Sequence, residues 1–524
     1  MEITIAQALY FLPTIFLVLV IYNLLTKSSE AKRRRTNLPP SPPALPFIGH
    51  LLLLKQPVHR ALQNLSNKYG PIYSLKLGVR NAIVVSSPSL AEECLNRNDI
   101  VFANRPNNFL GWKIIGYNYK TMGASPYGPH WRNLRRLSTV ELLSAARLNS
   151  FLPVRRDEVK RLVNGLVSEV SGRPGFGHVA MRSRLVDLSM NVMMRMVAGK
   201  RYFGTEAGEG RCGEGERFKE LIREVFELSA TSNPVDFLPA MRWVDFSGLE
   251  KRMWEAKGKI DGFFQGLIDE RRNDDGAKDA TERKTMIDTL LSLQESEPET
   301  YSDEIIKGHV MVSFNFKISL TFFSPRTDSS AATIEWAMSL LLNHPKILNK
   351  ARAEIDNIVG NNRLVDESDY VKLPYLQGII NETLRLYPPA PTLVPHQSSE
   401  DCTVGGYSVK KGTMLIVNAW AIHRDPAIWE DPTRFWPERY EGAEVEPYKF
   451  IPFGMGRRSC PGTGLANRVV GMTLGALIQC FDWKRTNEAL LDMLEGQGLT
   501  MPKAEPLEAL CKPRDCIDNA FTVM

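Results

Sequence analysis

Between Phe453 and Gly462 the chain reads FGMGRRSCPG, which places one sulfur, Cys460, in a run of glycine, arginine and proline. The thiolate is the form of cysteine that attacks electrophiles and binds metals, and cationic neighbours favour it. Arg457 and Arg458 are the sequence's nearest source of such a field, and Gly456 and Gly462 let the backbone turn tightly around the sulfur. A buried cysteine is more often a small inert hydrophobe. Phe453, Gly456, Arg458, Cys460 and Gly462 together make a far more demanding pattern than one cysteine. Two further pairs could do chemistry. Glu382 and Arg385 stand three apart in NETLRLYPPAP, on one face of a helix that Pro388 and Pro389 terminate. Trp131 and Arg135 stand four apart in YGPHWRNLRR, again on one face. Taken singly, the first is a surface ion pair of little worth, and the second is a basic helix with an aromatic anchor.

Taken together these segments resemble the cytochrome P450 family. The Cys460 loop matches the family's haem-ligand loop at all five positions, NETLR looks like its ExxR signature, and FWPERY at Phe435–Tyr440 looks like its PERF element, with Tyr440 for the usual Phe. The resemblance implies haem b held axially by Cys460, whose thiolate pushes electron density toward O–O cleavage. It implies a buried structural network of Glu382, Arg385 and Arg439. It also implies haem propionates met by Trp131, Arg135, Arg458 and His396, the last closing PPAPTLVPH. Electrons would come from NADPH through a separate cytochrome P450 reductase, and Arg132 and Arg136 either dock it or form a solvated face. Segments such as FANRP (Phe102–Pro106) and NAWAIHRDP (Asn418–Pro426) are similar to plant microsomal members, in wording close to the group with isoflavone 2'-hydroxylases. The expected reaction is therefore O2-dependent hydroxylation of a small aromatic, hydrophobic plant metabolite, an isoflavonoid or flavonoid. Substrate contacts are expected from Asn107–Met122, Ala390–Val394 and Gly498–Met501. Rival motifs fail: His423, Arg424 and Asp425 imitate a kinase HRD, but Glu430 stands where Asn is needed. A dinucleotide pattern begun by Gly462 and Gly464 ends on Asn467.

These residues need elements to carry them. The 524 residues, 43% hydrophobic and 24% charged with a formal charge of +6, exclude disordered and fibrous classes and give no argument for nucleic acid. Seven scattered cysteines are unlike a secreted disulfide framework. Ile3–Leu25 is uncharged and long enough to span a bilayer; Glu2 precedes it and Lys32–Arg35 follow, the order of an uncleaved anchor with a cytosolic body. The expected location is the endoplasmic-reticulum membrane, single-pass, in contact with membrane lipid. The expected layout is an anchor and basic flank at 1–30, a basic, proline-rich hinge at 31–50 acting as a stiff spacer, and a haem domain at 51–524. The expected fold is mainly α with small β-sheets, the cytochrome P450 fold behind one transmembrane helix. Glu335–Asn343, Glu354–Val359 and Tyr375–Tyr387 read as helices, Ile83–Ser86 and Met414–Val417 as strands.

One segment departs from the family. Its central helix carries small residues followed by an acid and an alcohol, which relay protons during oxygen activation. Here Asp328 and Ser329 keep the acid and the alcohol, but Pro325 and Arg326 replace the small residues. Proline inside a helix costs about 3 kcal/mol or more. Upstream, Ser313–Thr321 alternates polar and apolar with period two, a strand pattern. Residues 313–326 therefore read as an anomalous insertion-replacement, either a retained intron or gene-model error, which the intact remaining signatures favour, or a genuine divergent insertion. The alternative function is a haem-binding or misfolded product that fails to activate oxygen.

Overall fold

The computed structural model describes residues 37–515 apart from 172–174, 205–208, 231–233, 244–247, 274–283, 317–328, 443–444, 497 and 499. The chain runs through α1 (Val58–Tyr69), β1 (Ile72–Leu77), β2 (Arg80–Val85), α2 (Pro129–Arg136), α3 (Leu152–Val170), β3 (Gly177–Ala180), α4 (Met181–Ala198), α5 (Glu209–Ala230), α6 (Leu249–Asn273), α7 (Asp303–Phe316), α8 (Ser329–Asn343), α9 (Pro345–Ile358) and α10 (Pro374–Leu386). Then come β4 (His396–Gln397), β5 (Cys402–Val404), β6 (Tyr407–Val409), β7 (Met414–Val417), α11 (Thr463–Cys480), β8 (Phe481–Lys484) and β9 (Glu508–Pro513).

Helix α8 is the hub, because every residue from Ser330 to Leu342 is buried. A helix apolar on all sides has no solvent face and must be covered all round. Here α4, α10 and α11 cover it. Its buried Glu335 accepts both contacts from Arg182 Nε at 3.0 Å and the Leu507 amide at 2.8 Å, so the charge is compensated. Pro345 and Pro374 each stand at the first turn of their helices, where the missing N–H costs nothing.

The sheets are small. One has the order β1-β2-β7-β4, with β2 parallel to β7 in the register Ala82↔Met414 to Val85↔Val417. The others are β3-β9-β8 and the β5–β6 hairpin. Met414–Val417 is buried throughout, which is why it reads as a continuous apolar run.

One expectation is corrected. Ser313–Phe316 complete the helix α7 and form no strand. Upstream, Ile306, Val310 and Met311 are buried at helical spacing, and that packing overrides the local period-two pattern. Residues 317–328, including Asp328, lie outside the described residues. Part of the proline-rich segment is hydrogen-bonded to the body. The Ser74 amide donates to Pro40 O at 2.7 Å, and the His50 ring sits between Pro42 O at 2.9 Å and the Lys76 amide at 2.7 Å, docking residues 40–50 along β1. The apolar stretch Ile3–Leu25 lies outside the described residues; among those described, no helix is long and apolar enough to cross a membrane.

Candidate active site

Cys460 stands three residues before the start of α11. Its amide donates to Phe453 O at 2.8 Å, closing the loop, and its carbonyl accepts from Thr463 Oγ1 at 2.8 Å. The sulfur is contacted by the backbone of Gly462 and Thr463 at the helix N-terminus, which favour a thiolate. Burial opposes them and wins, holding the thiol above its ordinary range; Arg135 helps the thiolate side. The residual surface of Cys460 faces a cavity rather than bulk water, so the side chain is enclosed although not wholly covered.

The positive field expected from Arg457 and Arg458 comes instead from Arg135. Arg457 is exposed and turned to Asp99, which pairs with its side chain and accepts its amide at 3.1 Å. Arg458 donates to three carbonyls, Ala103 at 2.6 Å, Met122 at 3.0 Å and Ser125 at 2.5 Å. The tight turn likewise belongs to Gly456 and not Gly462. Gly456 has φ +69°, and a Cβ there would collide with Leu95 O; Gly462, at φ −83°, has a backbone open to any residue.

The cavity beside Cys460 is lined by Phe453, Trp131, Arg135, Arg458 and His396, and also by Arg105. Arg135 Nη1 donates to Ser459 O at 2.7 Å, and the Trp131 indole donates to Met122 O at 3.2 Å. The Arg458 guanidinium lies 4.4 Å from the Trp131 ring centroid. Arg105 donates through Nη1 to Val394 O and Pro395 O at 3.0 and 2.9 Å, while its buried Nε has no partner. His396 Nδ1 bonds Phe102 O at 2.7 Å, and burial beside Arg105 and Arg458 holds the ring well below its usual pKa, hence neutral. Burial also pulls Arg105, Arg135 and Arg458 below the guanidinium range. Guanidinium groups stay protonated in proteins, so this depression reflects the cost of burying them, to which repulsion from Arg105 and Arg135 adds at Arg458; the cavity's described lining holds no carboxylate. A flat dianionic group with a thiolate-seeking metal fits that donor set: Cys460 supplies the sulfur, and the guanidinium groups supply counter-charge. Ser329 begins α8 and is absent from the cavity's described lining.

Outside the cavity lining, Arg385 and Glu382 of α10 form a two-bond pair at 2.7 and 2.8 Å, both fully buried. Arg439 Nε donates to Glu382 Oε1 at 3.0 Å, and the Trp436 amide does so at 3.1 Å. Arg385 Nη1 reaches His423 O at 2.6 Å and Pro432 O at 2.7 Å. His423 Nε2 accepts the Ile451 amide at 2.9 Å, so the network extends to within two residues of Phe453. Sequence reading missed two participants. Arg105 lay in FANRP, a segment noted only for its wording. His423 stands in NAWAIHRDP, which carries the family likeness and the failed kinase triplet but no signal of this contact.

Residues 39–507 match the family model described as Cytochrome P450. The chain is 58% identical over 508 residues to Cytochrome P450 81Q32 of Catharanthus roseus, covering 97% of this chain and 98% of that protein. It is 48% identical over 502 residues to an isoflavone 2'-hydroxylase of Glycyrrhiza echinata, covering 96% of each. A zebrafish cytochrome P450 solved with progesterone superposes with a TM-score of 0.73 at 25% identity, over 88% of this chain and 100% of that one. With a cysteine loop, a cation-lined cavity and a buried glutamate–arginine network in one fold, this chain belongs to the cytochrome P450 family, monooxygenases that use haem iron.

Proposed function

We propose that this chain is a membrane-anchored monooxygenase of the endoplasmic reticulum that hydroxylates an isoflavonoid or related small aromatic plant metabolite. O2 and NADPH electrons delivered by a reductase would be its co-reactants. The observation that carries the reading is Cys460 facing a cavity whose described lining holds Arg105, Arg135 and Arg458 and, among the described residues, no acid. Haem bound there supplies dioxygen activation and oxygen insertion.

The chain's own residues have separable roles in this reading. Cys460 holds the metal, with the backbone at Gly462 and Thr463 stabilising negative charge on sulfur. Arg105, Arg135 and Arg458 neutralise the propionates. Trp131 fixes Arg458 through its ring. Its indole hydrogen is committed to Met122 O and donates to a propionate only by giving up that bond. His396, neutral with Nδ1 bound to Phe102 O, donates to a propionate only after taking up a proton. Phe453 and Gly456 shape the loop, and Gly462 leads it into α11. Leu393, Val394 and Met122 supply apolar wall for an aromatic substrate. Asp328 and Ser329 are assigned proton delivery by position in the sequence. The isoflavonoid preference is supported by the likeness to the isoflavone 2'-hydroxylase.

The test combines two readouts on purified protein. Reduced protein with carbon monoxide should give the spectral band of a thiolate-ligated haem, and Cys460→Ala should lose it. With reductase and NADPH, a panel of isoflavonoids and flavonoids should yield hydroxylated products. A second reading rests on Pro325 and Arg326 where the family keeps small residues. Under it the thiolate band is present and no member of the panel is turned over, and that result would replace the first reading.

A further inference from the structure

Trp336 stands in the middle of α8, fully enclosed, and is absent from the described lining of the Cys460 cavity. Its ring stacks on Tyr387 with centroids 3.8 Å apart and an interplanar angle of 11°. A buried indole has one N–H and needs an acceptor for it. The acceptor is the carbonyl of Met501, at 2.8 Å and 165 positions away in sequence. One side chain thereby ties the central helix to the C-terminal part of the chain.

Met501 follows a narrow antiparallel pairing. The Gly496 amide donates to Pro502 O at 2.8 Å, the Ala504 amide to Leu494 O at 2.9 Å, and Glu495 bridges to Lys503. Two further contacts hold the strand beyond Met501: Arg182 Nη2 donates to Lys503 O at 2.7 Å, and the Leu507 amide to Glu335 at 2.8 Å. The Met501 side chain packs with Trp420, Ala421 and Tyr387.

The same group of rings reaches the wall of the Cys460 cavity from behind. The Trp420 amide donates to Pro391 O at 2.9 Å, and Leu393 and Val394, a few residues on, line that cavity. Trp336, Tyr387 and Trp420 therefore form a layer shared by two stretches from which substrate contact is expected, Ala390–Val394 and the one that ends at Met501. Apolar packing within such a layer is non-directional. The indole hydrogen bond is directional, and it fixes where the Met501 backbone stands relative to Leu393 and Val394.

We propose that Trp336 is a positioning residue that determines specificity: by holding the Met501 carbonyl it sets the shape of the substrate wall, and with it which aromatic molecules are held and which of their ring positions are presented for hydroxylation. Trp336 touches no substrate. This role rests on the proposed reading that both stretches face substrate. A wall ordered in advance costs a ligand nothing, whereas a wall that the ligand must order as it binds lowers its affinity. Without the indole the enclosed Met501 carbonyl also loses its donor.

The experiment uses the full haem-loaded chain. Trp336→Phe keeps an aromatic ring against Tyr387 and removes the N–H. Replacement of Trp336 by benzothienylalanine, which has the same shape with sulfur in place of N–H, serves if the Phe variant does not fold, and the carbon monoxide band checks both. Haem absorption is titrated with imidazole and with 4-(biphenyl-4-yl)imidazole, and hydrogen exchange is followed at the Gly496 and Ala504 amides. Imidazole, too small to reach the wall, should bind parent and variant alike, while the biphenyl ligand should bind the variant about fivefold more weakly and the two amides should exchange about tenfold faster. In turnover of the isoflavonoid panel, KM should rise about fivefold with kcat unchanged, and the hydroxylated positions should redistribute. Unchanged affinity for the biphenyl ligand relative to imidazole, a tighter fit of that ligand in the variant, or unchanged exchange would overturn the proposal. Faster exchange with unaltered ligand selectivity would overturn it too, leaving Trp336 a structural role alone. If the parent turns over no member of the panel, the proposed function fails, and the imidazole and exchange measurements still decide the role of Trp336.

Discussion

Glu382 carries two cations on one carboxylate, and none of the three side chains has appreciable contact with water. Removing it leaves Arg385 and Arg439 buried without a counter-charge, the arrangement in which a broken pair costs about 3–5 kcal/mol. Glu382→Ala should therefore lower unfolding stability by about that much and release haem on mild heating, measured by denaturant titration alongside the carbon monoxide band. A loss under about 1 kcal/mol would show that the network is dispensable. At this scale the sequence was legible where spacing encodes geometry: Glu382 and Arg385 on one helical face, Trp131 and Arg135 on another. It was silent where the partner is a backbone atom. Nothing in HRDP shows that the His423 carbonyl accepts from Arg385 while its ring accepts the Ile451 amide. Arg457 and Arg458 are adjacent in sequence, yet only the structure shows one turned to Asp99 and the other to the cavity.

Asp236 holds elements together through one residue, its carboxylate accepting the Leu110 amide and its carbonyl accepting from Arg80 of β2. Burial pushes the Asp236 carboxyl from its ordinary 3.8 up to about 6, while the Leu110 amide and Arg80 pull the other way. Because the folded value lies above the unfolded one, the folded chain binds more protons between them, and this group's contribution to stability is lost as pH rises through that window. The resulting deficit at neutral pH is at most about 3 kcal/mol. Asp236→Asn keeps a carbonyl oxygen for the Leu110 amide and removes the charge. The variant should match the parent near pH 4, gain stability relative to it by pH 7, and lose this part of the pH slope in thermal melts. Parallel melting curves across that range would refute the assignment. Elements themselves were legible in proportion to their burial. Glu335–Asn343 lies within α8 and Met414–Val417 coincides with β7, because both are buried on all sides and read as apolar runs. Ser313–Thr321 misled, because the packing of Ile306, Val310 and Met311 decides that Ser313–Phe316 are helical, and no window of local alternation contains that information.

For the molecule as a whole, the open question lies between α7, which ends at Phe316, and α8, which starts at Ser329. Both flanking helices are packed into the core, α7 through Ile306, Val310 and Met311 and α8 along nearly its whole length. The proximal architecture of Cys460, the cations of its cavity and the glutamate–arginine network all lie outside residues 313–326. Replacing residues 313–326 with a helix-compatible stretch that restores small residues before Asp328 should leave the carbon monoxide band where it is. If the segment disables oxygen activation, the same replacement should raise hydroxylation of the isoflavonoid panel at least tenfold, the equivalent of about 1.4 kcal/mol in the barrier. Equal turnover by both chains would mean that the segment is a working insertion. The message sequence across the codons for Ser313–Arg326 supplies an independent arm: a spliced transcript encoding these residues removes the retained-intron explanation whatever the activity.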